Sequence, residues 1–125
     1  MTIKGITPKQ LSKKLVEKHR RFLSTYSKEF DLLHKLFVLR EKRDQLKHWI
    51  EDAKNEGDKK RYGTYMKQKK ATEKDILKLT EKLKEVTSSE NYDSRERYNF
   101  LKKCIDSHRD AINYWSNVSK STTPP

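Results

Sequence analysis

Apolar side chains recur at helical spacing through a long stretch that begins at Thr7 and ends at Gly57. The recurring positions are Leu11, Leu15, Phe22, Tyr26, Phe30, Leu33, Phe37, Leu46, Trp49, Ile50 and Ala53. Within this stretch no proline follows Pro8 and no glycine precedes Gly57, so nothing in it predicts a break. The pattern predicts one helix over residues 8–56, whose apolar stripe needs other helices to cover it.

Local signals place both ends of this first helix. Thr7 suits the N-cap, Pro8 suits the first helical position, and Gln10 completes a capping box. At the other end, Gly57 can adopt the left-handed conformation that terminates helices.

Two shorter helices are predicted to follow. The second spans about 59–87 with Asp58 as its cap, and Gly63 costs its first turns about 1 kcal/mol relative to alanine, which predicts fraying or a kink. Its inward stripe consists of Tyr62, Tyr65, Met66, Lys69, Thr72, Ile76, Leu79, Leu83 and Val86. The third spans about 92–118 behind a cap at Asn91 or Asp93. Its stripe, at alternating spacings of three and four, consists of Tyr98, Leu101, Ile105, His108, Ile112 and Trp115.

The fold expected from these elements is all-α, an elongated three-helix antiparallel coiled-coil-like bundle with a long first helix. Residues 1–6 form a lead-in, residues 7–118 the domain, and residues 119–125 a disordered tail. Because the first helix is much the longest, we expect its N-terminal half to project beyond the other two. Phe22, Leu23 and Tyr26 would then be free for another chain or a ligand segment.

The overall composition fits thin helix packing and a charged partner. The chain is 32% hydrophobic and 38% charged, with a formal net charge of +12, which leaves nucleic acid, an anionic membrane surface and an acidic protein as partner classes. The single cysteine excludes an internal disulfide. The opening MTIKGITPKQ lacks the apolar region of a signal peptide, and no run approaches the roughly 20 apolar residues that span a bilayer. We therefore expect no membrane insertion.

No motif for catalysis is present. The chain has no phosphate-binding Walker loop, no nucleophile elbow and no zinc-binding HExxH helix, so we expect neither enzyme activity nor a cofactor. Cys104 and His108 stand one helical turn apart, which is a legal spacing for two metal ligands. A structural zinc site needs four ligands, so we interpret both as packing residues and expect no metal.

Two strips of basic residues lie on predicted helix faces. Lys14, Lys18 and Arg21 form one on the first helix, and Lys67, Lys70, Lys74 and Lys78 form one on the second. Such strips are usually solvated faces, but they also suit docking to an acidic protein or to phosphate. No RNA-recognition motif is visible, and duplex binding through phosphates remains an alternative.

Four segments carry a family resemblance. They are ITPKQLSKKLVEKHRRF at 6–22, KEFDLLHKLF at 28–37, EGDKKRY at 56–62 and NYDSRERYNFLKKCIDSHRDAINYW at 91–115. Together they resemble the occludin/ELL homology domain, the helical module shared by tight-junction occludins and the ELL family of RNA polymerase II elongation factors. The second segment is similar to the acidic–aromatic–Leu–His pattern of ELL proteins through Glu29, Phe30, Leu33 and His34. The last matches aromatic and aliphatic positions at Tyr92, Leu101, Ile105, Ile112 and Tyr114. The third segment is basic where the family is acidic, and the second helix is about two turns longer than in the family.

The resemblance implies three antiparallel helices that bind other proteins and have no enzyme activity. In the ELL branch, an AF4-type scaffold segment folds onto the module within the nuclear super elongation complex. In the occludin branch, a basic surface at the cytoplasmic face of a cell junction meets the guanylate-kinase-like domain of a zonula occludens scaffold. Leu33, His34 and the lack of membrane spans favour the ELL branch.

The function expected is therefore a non-catalytic protein-protein interaction module of a transcription elongation factor. We expect a partner segment to dock on apolar positions framed by basic residues. The positions are Phe22, Tyr26, Phe30, Leu33 and Phe37, with Tyr62 and Tyr65 opposite. The alternatives are the occludin-type tail and a basic module that binds nucleic acid directly. A projecting first helix could also form a homodimer.

Overall fold

Three helices account for most of the chain. The computed structural model describes residues 7–87 and 89–121. In it α1 spans Pro8–Asn55, α2 spans Lys59–Val86 and α3 spans Arg95–Ser121. These residues contain no β-strand, and helix pairs pack closely, which confirms the predicted all-α class.

The capping box predicted at the start of α1 is confirmed. The Thr7 amide donates to Gln10 Oε1 at 2.9 Å, and the Gln10 amide donates to Thr7 Oγ1 at 3.2 Å. Two of the amides that a helix start leaves unpaired are thus satisfied reciprocally. At the start of α2, the Asp58 carboxylate accepts the Arg61 amide at 3.1 Å, as the sequence predicts.

Gly57 ends the turn after α1 in a left-handed conformation, with φ of 71°. The Gly57 amide donates to the Lys54 carbonyl at 3.2 Å, and the Asp58 amide donates to the Ala53 carbonyl at 2.9 Å. This pair of bonds is the Schellman motif, which satisfies carbonyls at a helix end. Gly63 shows no such conformation, and α2 runs through it as one continuous helix from Lys59, so the predicted fraying does not occur.

Alanine at these two glycines should change stability in opposite directions. We expect Gly57→Ala to lower the free energy of unfolding by about 1 kcal/mol, because a Cβ is strained at positive φ. We expect Gly63→Ala to raise it by about 1 kcal/mol, because alanine is the better helix former. A Cβ would meet no atom within 4 Å at either position, so backbone conformation alone sets the sign. Urea unfolding of both variants measures it, and equal effects of the same sign would contradict this account.

Residues 31–94 form one compact unit, which we call the hairpin unit. In it the second part of α1 packs antiparallel to α2 across the turn at Gly57. The buried hydrophobic residues are Leu33, Leu36, Leu46 and Ala53 from α1, and Ile76 and Leu83 from α2. Thr72 is also buried, and its hydroxyl donates to the Gln68 carbonyl at 2.8 Å, so this buried hydroxyl has a hydrogen-bond partner.

The first part of α1, up to Phe30, packs antiparallel to α3 in a second compact unit, which we call the terminal unit. Val16, Leu101 and Ile105 are its buried hydrophobic residues. The expected projection of an unpaired N-terminal half of α1 is therefore wrong. An aromatic row and a buried ion pair between Glu29 and Arg97 hold α3 against this part of α1.

The helix ends differ from prediction mainly at α3. This helix begins at Arg95 rather than residue 92, because neither predicted cap residue acts as a cap. Asp93 instead accepts from Arg40 at 2.9 Å, and the Asn91 carbonyl accepts from the Ser94 amide and hydroxyl. At the other end α3 continues to Ser121, three residues into the predicted tail. The predicted lead-in and the rest of the tail lie outside the described residues.

Candidate functional site

The hairpin unit contains an apolar groove between α1 and α2. Its volume is about 450 Å³, and it is lined by His34, Lys35, Val38, Leu39, Asp75, Lys78, Leu79 and Lys82. Val38 is 50% exposed, so part of its apolar surface is open to a ligand. Leu39 and Leu79 are half-buried, so they extend the apolar surface toward the interior of the unit.

The groove has a basic rim. Lys35, Lys78 and Lys82 are exposed along it, and Asp75 is the single acidic residue that lines it. An apolar surface bordered by positive charge matches a ligand that is apolar on one face and acidic on its flanks. This combination lies within one compact unit and makes the groove the strongest candidate for a binding site.

The structure divides the aromatic residues that the sequence predicted as one docking surface. Phe22, Tyr26 and Phe30 lie in the terminal unit and pack on α3. The ring of Phe22 stacks on His108 at 5.3 Å, Tyr26 meets Phe100 edge-on at 6.4 Å, and Phe30 contacts Tyr98 at 4.8 Å. These three rings hold two helices together: Tyr26 and Phe30 are half-buried in this contact, whereas Phe22 keeps 43% of its surface exposed.

The other predicted docking residues lie in the hairpin unit. Leu33 is fully buried and cannot contact a partner while the unit is folded. Phe37 is half-buried, and Tyr65 packs on Trp49 with 5.5 Å between ring centroids. Tyr62 is exposed and lines a separate cavity of about 250 Å³ beside the turn at Gly57. None of these four residues lines the basic-rimmed groove.

The predicted basic residues are all exposed, on two different units. Lys14, Lys18 and Arg21 lie on α1 in the terminal unit, and Lys67, Lys70, Lys74 and Lys78 lie on α2 in the hairpin unit. Of these seven, Lys78 reaches the groove. The strip on α2 thus leads along the helix to the rim of the candidate site.

Sequence reasoning missed Lys35, Val38 and Lys82 as groove residues. One signal was present: α1 has five apolar residues in the seven positions 33–39, more than a single buried stripe needs. Such an excess leaves one of them facing solvent, and Val38 is that residue.

No metal-binding cluster is found in residues 7–87 and 89–121, where no group of three or more His, Cys, Asp or Glu side chains converges. Cys104 and His108 are both half-buried on α3. Over the same described residues, no helix has the length and apolar character needed to cross a membrane.

Comparison with models of protein families finds no match, and comparisons with curated proteins and with solved structures find none either. The resemblance to the occludin/ELL homology domain therefore stays a prediction.

Proposed function

We propose that this chain is a non-catalytic protein-protein interaction module whose hairpin unit docks an acidic amphipathic segment of a partner. The observation that carries the proposal is the apolar groove with Lys35, Lys78 and Lys82 on its rim. An amphipathic helix binds such grooves through apolar residues at spacings of three and four, while its flanking acidic residues meet the lysines.

The family resemblance supports a finer proposal. If the chain is an ELL-type elongation-factor module, its natural ligand is an AF4-type scaffold segment, and it acts in the nucleus. If it is an occludin-type tail, its ligand is the guanylate-kinase-like domain of a junctional scaffold. The groove suits a single amphipathic segment better than a folded domain, because its apolar lining is narrow and lies between two helices.

Substitutions in the groove test the docking directly. We expect Val38→Glu to weaken binding of a synthetic peptide, with leucines at helical spacing and glutamates between them, by at least about tenfold. The new carboxylate removes apolar contact and repels the acidic ligand. Isothermal titration calorimetry with the full chain measures the affinity, and an AF4-type segment and a guanylate-kinase-like domain serve as the other two probes.

Two matched controls lie on α2. Leu77 is 66% exposed but does not line the groove, so Leu77→Glu should bind the peptide as the unchanged protein does. Lys74 belongs to the same basic strip as Lys78 without lining the groove, so Lys78→Glu should weaken binding more than Lys74→Glu. Equal losses in both members of either pair would mean that the peptide binds through diffuse charge and not in the groove.

Direct nucleic-acid binding is the second candidate, favoured by the net charge of +12. Binding through phosphates weakens steeply as salt rises, because each neutralised phosphate releases a counterion. Titrating the same protein with random-sequence duplex DNA across a salt series separates the candidates. Duplex affinity that persists at physiological salt and is unchanged by Val38→Glu would favour nucleic acid over the peptide.

A further inference from the structure

Two histidines from different helices meet in the terminal unit. His19 lies on α1 and His108 on α3, and their Nδ1 atoms are 2.8 Å apart. One ring must donate and the other must accept, because an uncharged imidazole has one N–H nitrogen that donates and one bare nitrogen that accepts. When both rings are protonated, all four ring nitrogens are donors and this bond cannot exist.

The surroundings of His108 favour its uncharged state. His108 is half-buried and stacks on Phe22 at 5.3 Å and on Tyr26 at 5.6 Å. Burial lowers the pKa of His108 below its usual 6.5, and the nearby charge of protonated His19 lowers this pKa further. Neutral pH therefore leaves His108 uncharged and able to share one proton with its neighbour.

In the described part of the chain, no carboxylate is bonded to the pair that could offset the positive charge of a second protonated ring. The Tyr26 ring stacks on His108 at 5.6 Å, and Cys104 lies four residues before His108 on the same helix. Glu17 lines a cavity between the two helices that neither histidine reaches. Over the residues that the structure describes, neither imidazole has a hydrogen bond or ion pair to an acidic side chain. A doubly protonated pair would thus place two like charges in contact without a hydrogen-bonded or ion-paired carboxylate to offset them.

We propose that the His19–His108 pair is a pH-sensitive latch that holds α3 against α1 at neutral pH and loosens the terminal unit when acid protonates both rings. The latch does not depend on the groove of the hairpin unit, so this inference stands apart from the proposed function. Its consequence is that acidification exposes more of Phe22 and Tyr26, whose rings stack on His108 in the folded unit.

The direction of the effect follows from linkage. The pKa of His108 is lower in the folded protein than in the unfolded chain, so the unfolded chain binds the proton first as pH falls. The stabilisation is fully present above about pH 6.5, the unfolded value. It is lost as pH falls through the folded pKa of His108.

Two tryptophans allow each unit to be followed separately. Trp115 lies on α3 in the terminal unit, and Trp49 lies on α1 in the hairpin unit. With Trp49→Phe, fluorescence during urea unfolding reports Trp115 alone, and with Trp115→Phe it reports Trp49 alone. Between pH 7.5 and 5.5, we expect the unfolding equilibrium constant seen by Trp115 to rise on the order of tenfold.

Histidine variants test whether the His19–His108 pair causes this rise in the unfolding equilibrium constant. His19→Gln with His108→Gln should abolish most of it, and His19→Gln alone should reduce it, because glutamine can still accept from His108. His34→Gln and His48→Gln, at exposed positions of the hairpin unit, should leave the rise unchanged. A rise that survives in both His19 variants, or that the control variants remove equally well, would overturn the latch.

Discussion

Glu29→Ala should lower the free energy of unfolding by about 3 kcal/mol, because it leaves a guanidinium in the terminal unit without its partner. Arg97 Nε donates to Glu29 Oε2 at 2.7 Å, and Arg97 Nη2 donates to Glu29 Oε1 at 2.8 Å. This two-bond geometry is the strongest arrangement that an arginine and a carboxylate form. Urea unfolding of the full chain at neutral pH measures the loss.

Both side chains of this ion pair are largely shielded from solvent. The side chains of Glu29 and Arg97 are only 7% and 18% exposed. The hydrogen bond to Glu29 is the main cause that raises the pKa of Arg97, and burial opposes it. The Glu29 carboxylate thus offsets the cost of burying the Arg97 guanidinium, and removing the carboxylate removes that compensation.

A surface pair provides the matched control. Arg61 and Glu56 approach to 3.1 Å, but their side chains are 48% and 62% exposed. Glu56→Ala should change stability by less than about 0.5 kcal/mol, since solvent screens such pairs. Replacing both Glu29 and Arg97 by methionine should restore much of the stability that Glu29→Ala loses. Our account of the pair fails if Glu29→Ala is as harmless as Glu56→Ala.

The local features of the fold could be predicted from sequence because they depend on neighbouring residues. Thr7 with Gln10, Asp58, and Gly57 each act within one helical turn, and the structure places all three as expected. The partner of the first part of α1 could not be predicted in this way. Its contact with α3 joins residues as far apart as His19 and His108, and apolar periodicity does not say which stripe meets which.

Glu29 is the residue whose position in the sequence indicates the contact between α1 and α3. It lies three residues after Tyr26 and four before Leu33, so it shares the apolar face of α1. A carboxylate on an apolar face predicts a basic partner from another helix. In the structure that partner is Arg97 on α3.

The sequence predicted the charge of the candidate site better than its apolar lining. The basic strip on α2 is exposed as expected, because lysine is rarely buried. The groove itself is formed by side chains from α1 and α2 that face each other. Which residues of the two helices lie opposite one another could not be predicted from the sequence. Val38 and Lys82 therefore became visible as site residues only in the folded hairpin unit.

Leu33→Ala should destabilise the hairpin unit by about 3 kcal/mol, within the 2 to 5 kcal/mol that buried leucine-to-alanine changes cost. Leu33 has no exposed surface, so the substitution removes apolar contacts and leaves a cavity in the unit. Urea unfolding followed by Trp49 fluorescence measures the effect. Leu77→Ala is the control, because Leu77 is 66% exposed and its truncation should cost less than about 0.5 kcal/mol.

The same variant separates a core residue from a docking residue. The sequence placed Leu33 among the partner contacts, whereas its burial assigns it to the core. Under conditions where Leu33→Ala remains folded by circular dichroism, its affinity for the acidic peptide should therefore stay within about twofold of the unchanged protein, a difference of about 0.4 kcal/mol. Val38→Glu should show the opposite combination, with weak binding and near-normal stability. A folded Leu33→Ala protein that no longer binds the peptide would return Leu33 to the docking surface and move the site away from the groove.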